Sequence, residues 1–203
     1  MKRFRPSIAK NLILIFFIGL FLFLTNYFTN EIIKPEKKPN SNQPNIGGDF
    51  ILLDQNEMVF DTRVINKHKL IYFGYTYCPD VCPFDILKLD KLFTDIKELN
   101  QKIMPIFVTV DPKRDSTNVI RDFLQNFNNE IVGLTGTVDE INAVLKQYKI
   151  YRKYSENPDS SDDYLINHTS LFYLVDESNK YVQHFSSQNF SESTRKFFRN
   201  YKF

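Results

Sequence analysis

The fold and chemistry of this chain are constrained above all by a pair of cysteines that lies between an apolar run and an amphipathic segment. Cys78 and Cys82 are its two cysteines and lie four residues apart. The apolar run 70–73 before them predicts a buried strand, and Pro83 suits the first turn of a following helix. The apolar side chains that define the predicted helix face are Ile86, Leu89, Leu92, Phe93, Ile96 and Leu99. Both sulfurs are therefore expected at a strand-to-helix turn, where the helix dipole favours a thiolate over a thiol.

Sulfurs at this spacing suit either a shared metal ion or a disulfide. Residues four apart on a helical turn have Cβ atoms about 5–6 Å apart, which allows both arrangements. A purely structural disulfide is the weaker interpretation, because the closed loop is short and the entropic gain grows with loop length. Two inert buried thiols are disfavoured by the adjacent prolines and the helix start. The pattern therefore favours metal or redox chemistry.

The segment 74–83, which reads GYTYCPDVCP, resembles the signature of the Sco/SenC family. That signature is a Cys-Pro-x-x-Cys-Pro block preceded by Gly-Tyr-Thr-x. Members of the family are copper-binding, thioredoxin-like assembly factors of cytochrome c oxidase. The resemblance covers roughly residues 50–190. It implies that Cys78 and Cys82 bind copper. Their spacing on one turn predicts in addition that oxidation gives an intramolecular disulfide.

The resemblance also implies a third ligand among the three histidines. Family members carry the ligand histidine just before a late strand, commonly in an Asp-His-Ser context. His168 holds that place, here flanked by Asn167 and Thr169. His68, between two lysines, is expected in a solvated loop. His184 is expected to be a surface or hydrogen-bonded histidine on a strand.

Two aspartates are weaker candidates beside the predicted ligands. The segment 111–115, Asp-Pro-Lys-Arg-Asp, is similar to the family's Asp-Pro-x-Arg-Asp segment, although a turn plus a helix cap explains it equally well. Since the carboxyl ends of strands face the site in an open α/β sheet, Asp111 is predicted to lie beside the ligands without binding the metal. Asp80, between the cysteines, is predicted to tune the sulfur charge or to contact a partner. No catalytic residue is predicted.

The predicted element order β-α-β-α-β-α-β-β-α indicates an α/β, thioredoxin-like fold with a central sheet flanked by helices. Asp115 or Ser116 is expected to cap the helix that follows them, and Thr137 and Glu140 fit a capping box at the start of the next helix. The remaining predicted strands and the terminal helix are at 47–53, 58–60, 104–110, 131–134, 170–175, 181–185 and 190–201.

The N-terminal region predicts membrane attachment. Residues 1–10 contain four basic side chains, and residues 11–30 contain no charge, which predicts a transmembrane anchor. A cleaved signal peptide is the alternative, but no A-x-A-like site follows the apolar core. The basic cluster places the N-terminus in the cytoplasm, and its short length favours a bacterial inner membrane with the domain on the periplasmic side. Residues 31–44 are expected to be a flexible tether, followed by a copper-binding domain at 45–203.

Charge and ligand chemistry narrow the function. Residues 1–45 carry a net charge of +5 and the remainder −3, so a nucleic-acid partner is not expected. Thiolates favour Cu(I), an imidazole adds affinity for Cu(II), and Zn²⁺ would usually take a fourth ligand. The identity of copper itself comes from the resemblance.

The resemblance implies a metallochaperone rather than an enzyme. It would deliver copper to the dinuclear centre of cytochrome c oxidase subunit II, with an upstream copper donor and a thiol reductant as further partners. A membrane-anchored thiol–disulfide reductase that keeps the cysteines of that centre reduced is the alternative. A peroxide-reducing enzyme on the same fold is a third class, for which Arg114 is the single indication. The histidine discriminates these readings, because copper binding needs His168 and the redox chemistries do not.

Overall fold

The computed structural model describes residues 13, 16–25, 45–156 and 163–203. The chain divides into two units, 1–43 and 44–203. In the first unit, residues 16–25 are helical and exposed. Among the described residues no helix is long and apolar enough to cross a membrane. Most of the predicted anchor, the basic N-terminus and the tether lie outside the described residues.

A seven-stranded mixed sheet forms the centre of the second unit. Two further strands form a separate two-stranded ribbon. The strands are β1 (Ile51–Asp54), β2 (Val59–Asp61), β3 (His68–Gly74), β4 (Ile103–Thr109), β5 (Val132–Thr135), β6 (Arg152–Tyr154), β7 (Ile166–His168), β8 (Leu171–Val175) and β9 (Tyr181–Ser186). The large sheet has the order β2-β1-β5-β4-β3-β8-β9. Its β3, β4 and β5 are parallel, and its other pairs are antiparallel. Antiparallel β6 and β7 form the ribbon.

In the described part of this unit, five α-helices connect or follow these strands. They are α1 (Val81–Asp95), α2 (Leu99–Lys102), α3 (Thr117–Leu124), α4 (Val138–Gln147) and α5 (Phe190–Asn200). The predicted capping box is confirmed at α4, where Thr137 and Glu140 satisfy each other's backbone N–H groups. Ser116 caps α3, since its hydroxyl accepts from the Val119 N–H. Helix α1 ends earlier than the apolar spacing predicts, before Ile96.

The sheet is the core of the domain. Every residue of β3 is buried, which confirms the strand predicted from the apolar run 70–73. Gly133 shows how closely α3 approaches β5, because a Cβ there would collide with Cγ2 of Ile120. The predicted α/β arrangement is confirmed, and β1 and β2 pair as an antiparallel hairpin. The ribbon of β6 and β7 was not predicted, because three-residue strands of mixed polarity show too little periodicity.

The prediction of a solvated loop at His68 is wrong. His68 begins β3 and is 8% exposed, with its Nε2 atom 3.0 Å from the Tyr201 hydroxyl. The ring of Phe203 packs edge-on against it at 5.2 Å. Lysines beside a histidine usually indicate a solvated segment, but here the Lys69 side chain is also buried. Its Nζ donates to the backbone oxygen of Glu177. Aromatic residues near the C-terminus cover a site that local sequence marks as polar.

Candidate metal centre

The two cysteines lie where the central strand passes into the first helix. Strand β3 ends at Gly74, Cys78 lies in the following turn, and Cys82 is the second residue of α1. Cys82 is fully buried, Cys78 is partly exposed, and both are free thiols. A Cβ on residue 74 would lie 3.1 Å from Cys82 Sγ and 2.7 Å from Cε1 of Tyr72. The sulfur therefore sits against the strand at a point where only glycine leaves it room.

His168 lies directly beside the buried sulfur. It is the last residue of β7, and its Nε2 atom is 3.4 Å from Cys82 Sγ. Its Nδ1 atom is 3.1 Å from the carbonyl oxygen of Thr169. A carbonyl only accepts hydrogen bonds, so Nδ1 carries the proton and the Nε2 lone pair faces the sulfur. A backbone carbonyl that fixes the tautomer in this way is the usual support of a metal-binding histidine.

Aromatic side chains enclose the imidazole and hold its loop. The rings of Tyr72 and Tyr75 stand edge-on to His168 at centroid distances of 6.3 Å and 6.0 Å. The Tyr75 hydroxyl also accepts from the Ile166 N–H at 3.2 Å, which ties β7 to the turn after β3. Burial lowers the pKa of His168, which favours the neutral imidazole that a metal requires.

The two sulfurs differ in charge. A hydrogen bond from the Cys82 thiol and the backbone N–H groups of Asp80 and Cys82 lower the pKa of the Cys78 thiol to about 5, although burial opposes them. The same sulfur–sulfur interaction, together with burial, raises the pKa of Cys82. At neutral pH the pair therefore holds a thiolate at Cys78 and a thiol at Cys82. This result agrees with the expectation of a thiolate at the helix start.

A buried carboxylate fixes the turn that carries Cys78. Asp115 Oδ1 accepts from the Thr76 hydroxyl at 2.5 Å, and Oδ2 accepts from the Thr76 N–H at 3.1 Å. The Thr109 hydroxyl donates to the same carboxylate at 2.6 Å. Burial raises the pKa of Asp115 to about 6 against these hydrogen bonds. Asp115 was one of two predicted helix caps, but Ser116 makes the cap and Asp115 turns inward.

The two aspartates predicted beside the ligands have different surroundings. Asp111 is fully buried and accepts from the Tyr164 hydroxyl at 2.8 Å and from Arg114 Nε at 2.6 Å. The Arg114 guanidinium lies 3.6 Å above the Tyr164 ring, so Asp111 organises the segment that leads into β7. Asp80 precedes α1 and makes no side-chain cap, while its backbone N–H faces Cys78. An influence of either carboxylate on bound copper stays a prediction.

The donor set suits copper without being closed around a common point. In the described part of the chain, no three His, Cys, Asp or Glu side chains are grouped to hold a metal ion. Cys82 and His168 already touch, and Cys78 interacts with Cys82. Two soft sulfurs and one imidazole nitrogen match the ligand preferences of Cu(I) and Cu(II). His184 lies apart from this group on β9, where its Nδ1 atom is 2.6 Å from the Tyr181 hydroxyl.

Comparisons with known proteins identify relatives of this chain. The model of the SCO1/SenC family matches residues 38–201. A SCO2-like protein of Rickettsia conorii is 33% identical over 176 residues, which cover 83% of this chain and 86% of that protein. The structure of Bradyrhizobium japonicum ScoI with copper bound is similar at a TM-score of 0.69 and 33% identity, over 77% of this chain and 99% of that chain.

The predicted thioredoxin-like fold is confirmed by a further likeness. BsSco, described as a member of the Sco family of cytochrome c oxidase assembly proteins, matches at a TM-score of 0.55 and 23% identity. The match covers 68% of this chain and 81% of that chain. At this level of identity the likeness concerns the fold alone.

Proposed function

The chain belongs to the SCO1/SenC family, and we propose that it binds one copper ion through Cys78, Cys82 and His168 and delivers it during assembly of cytochrome c oxidase. The observation that carries the proposal is the contact of 3.4 Å between Cys82 Sγ and His168 Nε2. A copper-bound structure of a relative supports the choice of metal.

Each donor has a distinct part in holding the ion. The Cys78 thiolate is partly exposed and already charged, so it is the group that meets incoming copper first. Cys82 releases its proton as it binds, because a thiolate is the metal-binding form. His168 presents an unprotonated nitrogen that favours Cu(II), while the sulfurs favour Cu(I).

Three donors also suit release of the ion. Copper held by two sulfurs and one nitrogen leaves room for a ligand from a recipient protein, so transfer can proceed by exchange of ligands. The dinuclear copper centre of cytochrome c oxidase subunit II is the proposed recipient. An upstream copper donor and a thiol reductant complete the cycle, since the site loads only when both cysteines are reduced.

The proposal is tested by loading the full-length reduced chain with copper. We expect one copper ion per chain, with both thiols protected from alkylation while the metal is bound. A variant with both cysteines replaced by serine is the control and should retain no copper. Protein that keeps no copper after removal of excess metal would contradict the proposal. In cells, loss of the chain should leave cytochrome c oxidase without its dinuclear copper centre.

We further propose that residues 11–30 anchor the chain in a bacterial inner membrane with the N-terminus in the cytoplasm. The support is the uncharged segment preceded by four basic residues within 1–10. A reporter fused after Phe203 should be active only when it is exported. Activity of a cytoplasmic reporter at that position, or a mature N-terminus near residue 29, would contradict this topology.

A thiol–disulfide reductase is the second candidate, and the charge asymmetry of the cysteines favours it. A partly exposed thiolate at Cys78 beside a buried thiol at Cys82 resembles an attacking and a resolving cysteine. Mild oxidation of the metal-free chain should give an intramolecular disulfide and no free thiols. If His168→Ala leaves copper binding unchanged and both cysteines are needed to reduce a disulfide substrate, this second function replaces the first.

A further inference from the structure

Two buried polar atoms without partners stand behind Cys82. Among the described residues, the Tyr72 hydroxyl and Oδ2 of Asp85 are buried and close no hydrogen bond. Both side chains are fully buried. Buried polar groups are nearly always hydrogen-bonded, so two orphaned atoms at one place need an explanation.

These atoms adjoin the sulfur. A Cβ on residue 74 would meet Tyr72 Cε1 at 2.7 Å and Cys82 Sγ at 3.1 Å, so the phenol ring and the sulfur lie against the same point of β3. Burial first, and then the neighbouring Cys82 and Asp85, raise the pKa of Tyr72. The neutral phenol is a hydrogen-bond donor. Its ring is held by Phe172 at a centroid distance of 4.8 Å, so rotation about the C–O bond is the freedom that remains to the hydroxyl hydrogen.

The Asp85 carboxylate is fixed from its other side. Lys88 Nζ donates to Oδ1 at 2.8 Å, and the Ser187 hydroxyl donates to the same oxygen. Lys88 is further tied to the Ser187 backbone oxygen at 3.0 Å. Oδ2 is thus held in position while its own hydrogen-bonding capacity stays unused. The Tyr72 hydroxyl thus has two neighbouring acceptors, the Asp85 carboxylate and the Cys82 sulfur.

We propose that Tyr72 is a positioning residue whose hydroxyl turns to donate to Cys82 Sγ when that sulfur binds copper, with Asp85 as its alternative acceptor in the metal-free chain. The inference rests on the proposed function, because the sulfur becomes a full acceptor only as a thiolate. A hydrogen bond to a thiolate withdraws electron density from it, and such bonds tune the redox behaviour of copper–thiolate sites. Cu(II) depends more on sulfur donation than Cu(I) does, so the hydrogen bond favours Cu(I).

The test replaces the hydroxyl and reads the copper–sulfur bond directly. The full-length chain and its Tyr72→Phe variant are loaded with Cu(II), and the thiolate-to-Cu(II) charge-transfer band and both copper affinities are measured. Loss of the donor should move the band to longer wavelength and raise the ratio of Cu(II) to Cu(I) affinity by up to about tenfold. Tyr173→Phe is the matched control, since Tyr173 is a buried tyrosine of β8 that packs on Phe73 and His184 instead of the sulfur.

A second variant keeps the proposal testable if Tyr72→Phe does not fold. Asp85→Asn removes the charge of the competing acceptor, so the hydroxyl should donate more strongly to sulfur and the band should move to shorter wavelength. Where Tyr72→Phe does fold, that shift should vanish when Asp85→Asn is added to it. Identical bands in wild type, Tyr72→Phe and Asp85→Asn would overturn the role of Tyr72 and leave copper binding intact. A wild-type chain that binds no copper would overturn the proposed function together with it.

Discussion

The Thr76 hydroxyl donates to the Asp115 carboxylate at 2.5 Å, across 39 residues of sequence. This contact joins the turn after β3 to the loop after β4. Because Thr76 lies two residues before Cys78, the position of the exposed sulfur depends on a carboxylate outside the cysteine segment. The conformation of the turn that carries Cys78 therefore depends on a contact between the ends of two neighbouring strands.

The raised pKa of Asp115 predicts a pH dependence of stability. Between the ordinary pKa of 3.8 and about 6, the folded chain holds a proton on Asp115 that the unfolded chain has lost. The contribution of Asp115 to the free energy of unfolding therefore falls as the pH rises through this window, by about 3 kcal/mol. Urea unfolding at several pH values measures it as the difference between wild type and Asp115→Asn, which should shrink from pH 4 to pH 7.

A neutral control separates this effect from other titrations. Asp122 is an exposed aspartate on α3, so Asp122→Asn is the control for the same substitution outside the buried network. A difference between wild type and Asp115→Asn that does not vary with pH would contradict the role of Asp115 as a buried, partly protonated carboxyl.

The lowered pKa of Cys78 predicts selective reactivity. Iodoacetamide should modify Cys78 and spare the buried Cys82, and the rate should follow a titration with an apparent pKa of about 5. Stopped alkylation with peptide mass analysis across pH 4–9 gives this curve. Cys82→Ala removes the main stabilising donor, so its curve should move to higher pH. An inflection for wild type near the ordinary thiol value of about 8.5 would contradict the assignment of the thiolate.

Gly74 predicts a steric limit at the sulfur. In Gly74→Ala the new Cβ meets Cys82 Sγ at 3.1 Å and Cε1 of Tyr72 at 2.7 Å, in a fully buried strand. Overpacking of this kind costs about 1–3 kcal/mol, and here it also displaces a proposed ligand. The free energy of unfolding, measured in urea, and the copper affinity should both fall.

Gly133→Ala provides the comparison for that variant. Its Cβ clashes with Ile120 and Leu124, away from the cysteines. It should lose stability while the folded fraction keeps its copper affinity. Equal copper affinity in Gly74→Ala and wild type would show that the Cys82 sulfur does not depend on the glycine.

Local sequence was sufficient for the elements whose signals lie within a few residues. The apolar run of β3, the helix after the cysteines and the capping box at Thr137 each have a local physical cause, and all three form, although α1 ends before Ile96. His168 could be linked to the cysteines only through a family resemblance, since its 86-residue separation from Cys82 is closed by the whole sheet.

The surroundings of three other residues depend on long-range contacts, which local sequence does not predict. His68 reads as polar between two lysines, but aromatic residues near the C-terminus cover it. Asp115 fits a helix cap equally well in sequence, and only the fold turns it toward Thr76. Tyr72 looks like one more apolar residue of a buried strand, and its orphaned hydroxyl becomes visible only beside Cys82 and Asp85.

The most direct test of the proposed copper centre is a copper titration of His168→Ala. His184→Ala is the matched control, because His184 is an exposed histidine hydrogen-bonded to Tyr181 away from the sulfurs. Cu(II) binding is read from the thiolate charge-transfer band and Cu(I) binding from competition with a chelator. We expect His168→Ala to weaken Cu(II) more than Cu(I), Cys78→Ser and Cys82→Ser to weaken both, and His184→Ala to match wild type. Wild-type affinity of His168→Ala for both oxidation states would contradict the three-ligand centre.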